Sequence, residues 1–237
     1  MKVKSKKEIQ ISSREHVEEQ KLNVFVSKFD EFLPSTDYGV YPIVFKKNWD
    51  YPKDDIISLE LFSNEECDDI LSKWENMSST IREKFGPYDD LVEYDEIDRK
   101  CDIKWVHYYF KDWEWVFDRI TSIAKEVNDC HYKFELSDPI TLESLQFTRY
   151  NTCGFYKWHT DWKGGTVYDN RKISFTIELS DPETYEGGGL MLSGNKKAPT
   201  QRGLIHFFPS FVRHKADNII KGTRFSMVGW IPGYYFK

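Results

Sequence analysis

In the stretch YKWHTDW, residues 156–162, His159 and Asp161 stand one residue apart among aromatics. Side chains at i and i+2 of an extended chain point to the same side, so an imidazole and a carboxylate placed this way can reach one metal ion together. A third ligand has to come from another strand, and downstream there are only His206 and His214. His206 lies in the apolar run LIHFF and reads as a satisfied core residue, whereas His214 opens a new segment after FFPSFVR and its Pro-Ser corner. Two nitrogens and one carboxylate make the facial arrangement that suits Fe(II) with coordination positions left open; a catalytic zinc site of similar composition is the rival. The H-x-D pair alone is a weak signal, because it arises by chance in many proteins. Ten residues after His214, alternation in KGTRFSMVGW puts Arg224, Ser226, Val228 and Trp230 on one face of a predicted strand. A guanidinium there can clasp a carboxylate through two parallel hydrogen bonds, although an arginine on a strand is more often surface charge.

These residues need strands to hold them, and the texture after residue 140 supplies them. ITLESLQFTRY, KISFTIELS, GLIHFFP and TRFSMVGWI are short runs of alternating polarity separated by Gly, Pro, Asp and Asn. Ahead of them SNEECDDILSKWENM predicts a helix over about 63–78, with Ser63 as N-cap, Glu66 in capping-box position and Cys67, Ile70, Leu71, Trp74 and Met77 at helical spacing. A second helix is predicted over about 112–128 from the stripe Trp113, Val116, Phe117, Ile120, Ile123, Ala124 and Val127. Two helices followed by many short strands imply an antiparallel barrel or sandwich with helices packed outside one sheet. Residues 1–22 are rich in Lys, Glu, Ser and Gln and are expected to be a solvated arm or frayed helix, and residues 23–55, with Pro34, Pro42 and Pro52, an irregular wrapping segment.

At 237 residues one catalytic domain is the default, and the 16% aromatic content fits a β-rich core or an aromatic-lined pocket. A net charge of -6 argues against a broad grip on nucleic acid backbones. With no apolar run of roughly 20 residues and no signal-peptide stretch in MKVKSKKEIQ, neither a membrane span nor export is expected, and a cytoplasmic location follows. Cys67, Cys101, Cys130 and Cys153 lack CxxC spacing and read as reduced core thiols rather than a disulfide framework or a structural zinc site. Gly187, Gly188 and Gly189 read as a tight turn rather than a phosphate cradle, because no Lys-Ser/Thr pair or helix pattern follows them.

With those residues in view, the sequence resembles the iron- and 2-oxoglutarate-dependent dioxygenases, specifically the prolyl 4-hydroxylase-like branch that includes the PKHD-type hydroxylases. The likeness covers about residues 56–237, through LFSNEECDDIL, LESLQFTRYNTCGFYKWHTD, RKISFTIELSDPETYEGGGLML, GLIHFFPSFVRH and IIKGTRFSMVGWI. It implies a mainly β, α+β fold with a double-stranded β-helix (jelly-roll) core and helices on the outer face of one sheet. It assigns His159, Asp161 and His214 as iron ligands, Arg224 to the distal carboxylate of 2-oxoglutarate, Tyr150 to a hydrogen bond with that cosubstrate and Trp230 to the pocket lining. Glu143 and Arg171 match positions that contact peptide in the prolyl hydroxylases, and Tyr156 is a further substrate-side candidate. Strand parity puts Glu143 opposite to Tyr150, so both reach the pocket only across a bulge or turn, and Arg171 has the simpler alternative of pairing with an acidic neighbour.

The cofactors the resemblance implies are Fe(II), 2-oxoglutarate and O2, with ascorbate dependence as a secondary mark of the collagen-type branch. The reaction it implies is hydroxylation of an unactivated C–H bond, of a prolyl residue in a peptide or protein, with succinate and CO2 as co-products. Hydroxylation of a free amino acid or small metabolite, and a non-catalytic jelly-roll binding module, are the alternatives. Asp161 argues against a halogenase, and Trp230, standing where the demethylase relatives carry a second arginine, argues against a nucleic acid substrate. Two departures from the family pattern stand out: Glu178, where relatives often have Tyr or Phe, and Leu190, where collagen-type enzymes tend to have Thr. Glu178 either alters the pocket's charge or points away from it.

Overall fold

Along RKISFTIE, residues 171–178, polar and apolar side chains alternate as they would on a strand with one face in water, yet all eight are buried. Both faces of this strand are covered, and the polar one is covered by the rest of the site. The computed structural model describes residues 24–26, 56–77, 98–194 and 196–235. The arm over 1–22, most of the 23–55 segment and the end of the first expected helix lie outside them.

In chain order the strands are β1 (Val24–Val26), β2 (Ile57–Glu60), β3 (Arg99–Lys100), β4 (Asp102–Val106), β5 (Leu145–Tyr150), β6 (Phe155–His159), β7 (Arg171–Glu178), β8 (Tyr185–Gly187), β9 (Leu190–Leu192), β10 (Lys196–Lys197), β11 (Leu204–Pro209), β12 (His214–Ala216), β13 (Ile219–Gly222) and β14 (Arg224–Pro232). Seven of them form one sheet in the order β1-β2-β11-β7-β14-β5-β4, five form a second in the order β10-β9-β12-β6-β3, and β8 pairs with β13. All the pairings are antiparallel. The two larger sheets make the jelly-roll expected from the sequence. Strands from before residue 140 also belong to it: β1, β2 and β4 extend the larger sheet and β3 the smaller one. Their short sequences, ISLE and DIKWV among them, carry too little alternation to be separated from loop.

The outer face of the larger sheet is apolar, with Phe147, Phe175, Ile177, Phe207 and Met227 buried against Val116, Ile120, Ala124 and Val127 of α2 (Glu114–Val127). Burial of each such side chain contributes about 1.5–3 kcal/mol, which holds the helices on this face and leaves the other free for polar groups. α2 begins after a 3-10 turn at Lys111–Trp113 and passes into a π turn at Asn128–Tyr132, where the Tyr132 hydroxyl donates to the Phe207 carbonyl at 2.8 Å. The first helix, α1 (Asn64–Ser72), has the expected capping box, with Ser63 Oγ accepting from the Glu66 amide and the Glu66 carboxylate accepting from the Ser63 amide. It is shorter than its apolar spacing predicts. Lys104 Nζ donates to the carbonyls of Trp74 and Met77 at 2.5 and 2.8 Å, capturing groups that a longer helix would use. Trp74 nevertheless packs edge-on against Phe147 and Phe225, so the spacing marked the buried face correctly beyond the helix end.

No helix among the described residues is long and apolar enough to cross a membrane.

Candidate metal centre and its anion pocket

Cross-strand register brings the two histidines together. In the smaller sheet His214 on β12 lies opposite His159 on β6, and their rings are 4.2 Å apart between centroids. Asp161 follows the end of β6, where its amide and that of Trp162 both donate to the Ser210 carbonyl, at 3.0 and 2.9 Å. That anchorage turns the carboxylate toward the imidazoles: Oδ1 is 3.5 Å from His159 Nε2 and Oδ2 is 3.4 Å from His214 Nε2. The ligand atoms of all three lie within 4.8 Å of one another, the spacing that one ion can bridge.

The hydrogen bonds behind the three residues settle which atoms face inward. His159 Nδ1 is 2.8 Å from the Lys157 carbonyl and His214 Nδ1 is 2.9 Å from the Val212 carbonyl. A carbonyl only accepts, so each Nδ1 carries the proton and each Nε2 lone pair is left for a metal. Asp161 Oδ2 accepts from the Ser174 hydroxyl at 2.7 Å, and Ser174 Oγ is 3.0 Å from Ser210 Oγ. Burial pushes the His214 pKa down to about 4, against the pull of Asp161, so its imidazole is neutral near pH 7. Burial raises the Asp161 carboxyl, but His214, His159 and the Ser174 hydroxyl outweigh it and hold the group well below the usual carboxylate range. Two imidazoles presenting Nε2 and an ionised carboxylate fit a divalent iron ion.

Further buried polar side chains stand on the inner face of the larger sheet. Arg224 on β14 is opposite Tyr150 on β5, its guanidinium carbon 5.7 Å from the tyrosine ring. Arg224 is only 2% exposed, and its Nε and Nη2 donate to Glu178 Oε2 and Oε1 at 2.9 and 2.6 Å. Glu178, fully buried, therefore faces the same side as Arg224 and pairs with it. Beside this pair stands the buried Tyr185 hydroxyl, whose burial raises its pKa while the neighbouring Arg224 lowers it; farther along β14, Nε1 of Trp230 is buried without a hydrogen-bond partner among the described residues. A buried guanidinium with a tyrosine hydroxyl beside it fits an acidic oxygenated ligand such as 2-oxoglutarate. Gly187, Gly188 and Gly189, at φ 83°, 63° and 97°, form the turn between β8 and β9; a Cβ on Gly188 would come 2.3 Å from Ile219 Cδ1 and 3.4 Å from Arg224 Cδ, so the turn lets the backbone close over the arginine stem.

The expected substrate-side residues divide into two places. Glu143 precedes β5, so strand parity does not govern it, and its carboxylate accepts from Arg171 Nε and Nη2 at 2.7 and 2.5 Å. Arg171 also lies over the rings of Trp230 and Tyr168, at 3.9 and 4.2 Å. Arg171 thus pairs with an acidic neighbour, and that neighbour is Glu143 itself. Tyr156 stacks on His159 at 3.6 Å between centroids, which makes it a buttress of the metal cluster. Behind it sits a residue the sequence reading missed: buried Arg99 lies 4.5 Å over the Tyr156 ring and donates to Gln146 Oε1 at 3.0 Å, tying the smaller sheet to the larger. Nothing in its surroundings, RKCD, signals that role. Ser174 was missed as well, though it shares strand parity with Glu178.

His206 is the core residue the sequence implies: it is fully buried, and its Nδ1 is 2.8 Å from Ser58 Oγ. Burial lowers its pKa from 6.5 to about 4. Between these values the unfolded chain takes up a proton that the folded protein refuses. The stability this group contributes is whole above about pH 6.5 and is lost as pH falls toward 4, in total about 3 kcal/mol. His214 adds a loss of the same sign in the metal-free protein. Urea unfolding of metal-free protein should show that decline, with His206→Gln retaining about half of it.

Residues 145–232 match the family model of the 2OG-Fe(II) oxygenase superfamily. A PKHD-type hydroxylase of Crocosphaera subtropica is 37% identical over 98 residues, covering 39% of this chain and 44% of that protein. The chain therefore spans less than half the length of this curated relative. Among solved structures, a Pseudomonas putida prolyl-4-hydroxylase matches with a TM-score of 0.58 at 15% identity, over 76% of this chain and 93% of that one. A Trichoplax adhaerens prolyl hydroxylase, solved in complex with a hypoxia inducible factor peptide fragment, matches with a TM-score of 0.53 at 14% identity, over 75% of this chain and 83% of that one. The chain is thus similar in sequence to the 2OG-Fe(II) oxygenase superfamily over residues 145–232 and to a PKHD-type hydroxylase over 98 residues, and it shares its fold with prolyl hydroxylases.

Proposed function

We propose that the protein is an Fe(II)- and 2-oxoglutarate-dependent dioxygenase that hydroxylates an unactivated C–H bond, and that its substrate is a prolyl residue in a peptide or protein. The observation that carries this reading is the convergence of His159, Asp161 and His214 with both Nε2 atoms turned inward, on the same side of the larger sheet as the buried Arg224. Iron and 2-oxoglutarate would supply the oxidant from O2, with succinate and CO2 as co-products. The chain's own work is positional. Nδ1–H bonds to two carbonyls hold the imidazoles, Ser174 and the Ser210 carbonyl hold Asp161, and Arg224 sets the direction of a dicarboxylate. The buried inner face of the larger sheet keeps bulk water from the reacting atoms.

The peptide part of the proposal is supported by the likeness to prolyl hydroxylases, one of them solved with a peptide fragment. It is tested by incubating the protein with Fe(II), 2-oxoglutarate and a panel of proline-rich peptides and free amino acids. Mass spectrometry should find a one-oxygen gain on a prolyl peptide together with succinate. Oxygen gain confined to free amino acids would overturn the peptide assignment, and no succinate with any substrate would overturn the reaction class. Ser174→Ala removes the hydroxyl that orients Asp161 and should weaken Fe(II) binding by about 10- to 100-fold in an anaerobic titration, with the fold retained.

A further inference from the structure

The Nε/Nη2 edge of Arg224 is taken by Glu178 in a two-hydrogen-bond pair, while Nη1 makes a long hydrogen bond, 3.4 Å, to Ser226 Oγ, and the Tyr185 hydroxyl lies within hydrogen-bonding reach of the guanidinium. Ser226 lies opposite Glu178 in the sheet, and four residues farther along both strands Trp230 lies opposite Ser174, which holds Asp161. The free end of the guanidinium is therefore on the Ser226 side, the side toward the metal cluster. A carboxylate arriving there meets an arginine whose charge is already matched by an internal carboxylate, with that second anion beside it.

We infer that Glu178 is a positioning and specificity residue of the cosubstrate pocket: it locks Arg224 so that only the Nη1 end is offered, and it makes the distal anchor electrically neutral. This deepens the reading of the pocket as a 2-oxoglutarate site and rests on it. Recognition of the distal group then depends on hydrogen bonding more than on charge. A carboxamide in place of that carboxylate can still accept from Nη1, and its NH2 can donate to the Glu178 carboxylate, so the pocket should tolerate it. In a pocket with an unmatched arginine, the loss of the charge-assisted bond would cost far more.

The test is titration calorimetry of the full chain loaded with Mn(II), a redox-inert occupant of the imidazole and carboxylate site, using 2-oxoglutarate and its distal amide, 2-oxoglutaramate, as paired probes. The wild-type protein should prefer 2-oxoglutarate by less than about 10-fold, and in Glu178→Gln, which keeps the shape and removes the charge, the preference should rise at least about 10-fold. A structural disturbance alone would weaken both ligands and leave their ratio where it was. A strong wild-type preference for the dicarboxylate, or an unchanged ratio in Glu178→Gln, overturns the inference while leaving the cosubstrate site in place. Metal-loaded wild type that binds neither probe overturns the cosubstrate reading and this inference with it. Should Glu178→Gln fail to fold, the wild-type ratio decides alone.

Discussion

Asp161→Ala should abolish iron-dependent succinate formation while the protein stays folded. Among the three clustered side chains Asp161 is the carboxylate, and it alone supplies the negative charge that offsets a dication. Its loss leaves only two imidazoles on adjacent strands, a pair that binds Fe(II) weakly. The fall in iron affinity should exceed the roughly 100-fold that removal of an outer hydrogen-bond partner can cost. The fold has no comparable stake in this carboxylate: the bonds that hold the 161–162 bend run from backbone amides to the Ser210 carbonyl and survive the substitution. Succinate release and iron content measure the first half of this expectation, and circular dichroism with urea unfolding the second. Normal turnover in Asp161→Ala would remove the carboxylate from the ligand set.

Arg224→Met should have two separable effects. It removes the anchor, so 2-oxoglutarate binding to the metal-loaded protein should fall beyond detection at concentrations that saturate the wild type. It also strands the fully buried Glu178 carboxylate without its partner, which costs about 3–5 kcal/mol of stability. Arg224→Met combined with Glu178→Leu should recover most of that stability, because replacing both members of a buried pair by apolar groups is close to neutral. It should recover none of the cosubstrate binding. Calorimetry and urea unfolding on the single and double variants separate the two effects. Cosubstrate affinity restored in the double variant would show that Arg224 is not the anchor.

Much of this architecture can be read from the residues, and the exceptions have physical causes. Periodicity located both helices, because apolar spacing over several turns is hard to produce by accident; it overran the end of α1, because Trp74 and Met77 kept the spacing while Lys104 took their carbonyls. The i, i+2 rule anticipated that His159 and Asp161 point the same way, although Asp161 stands beyond the strand and is turned by Ser210, a residue 49 positions later in the chain. The pairing of His214 with His159 depends on a cross-strand register that no local pattern carries. Alternation on β7 was visible, but its polar face is normally read as facing water; only the second sheet, folded over it, turns Ser174 and Glu178 into site residues. Glu178 stands out as a departure from the family pattern, and its orientation toward Arg224 depends on the pairing of two strands distant in the chain. Arg99 gave no local sign of its place behind Tyr156.

The account depends on one ferrous ion being held by side chains that three distant parts of the chain bring together. Crystals grown without oxygen in the presence of Fe(II), with diffraction recorded on either side of the iron absorption edge, test it directly. The anomalous difference map should contain a single strong peak bonded to His159 Nε2, His214 Nε2 and an Asp161 carboxylate oxygen. A peak bound elsewhere, or no peak with the metal in excess, would contradict it.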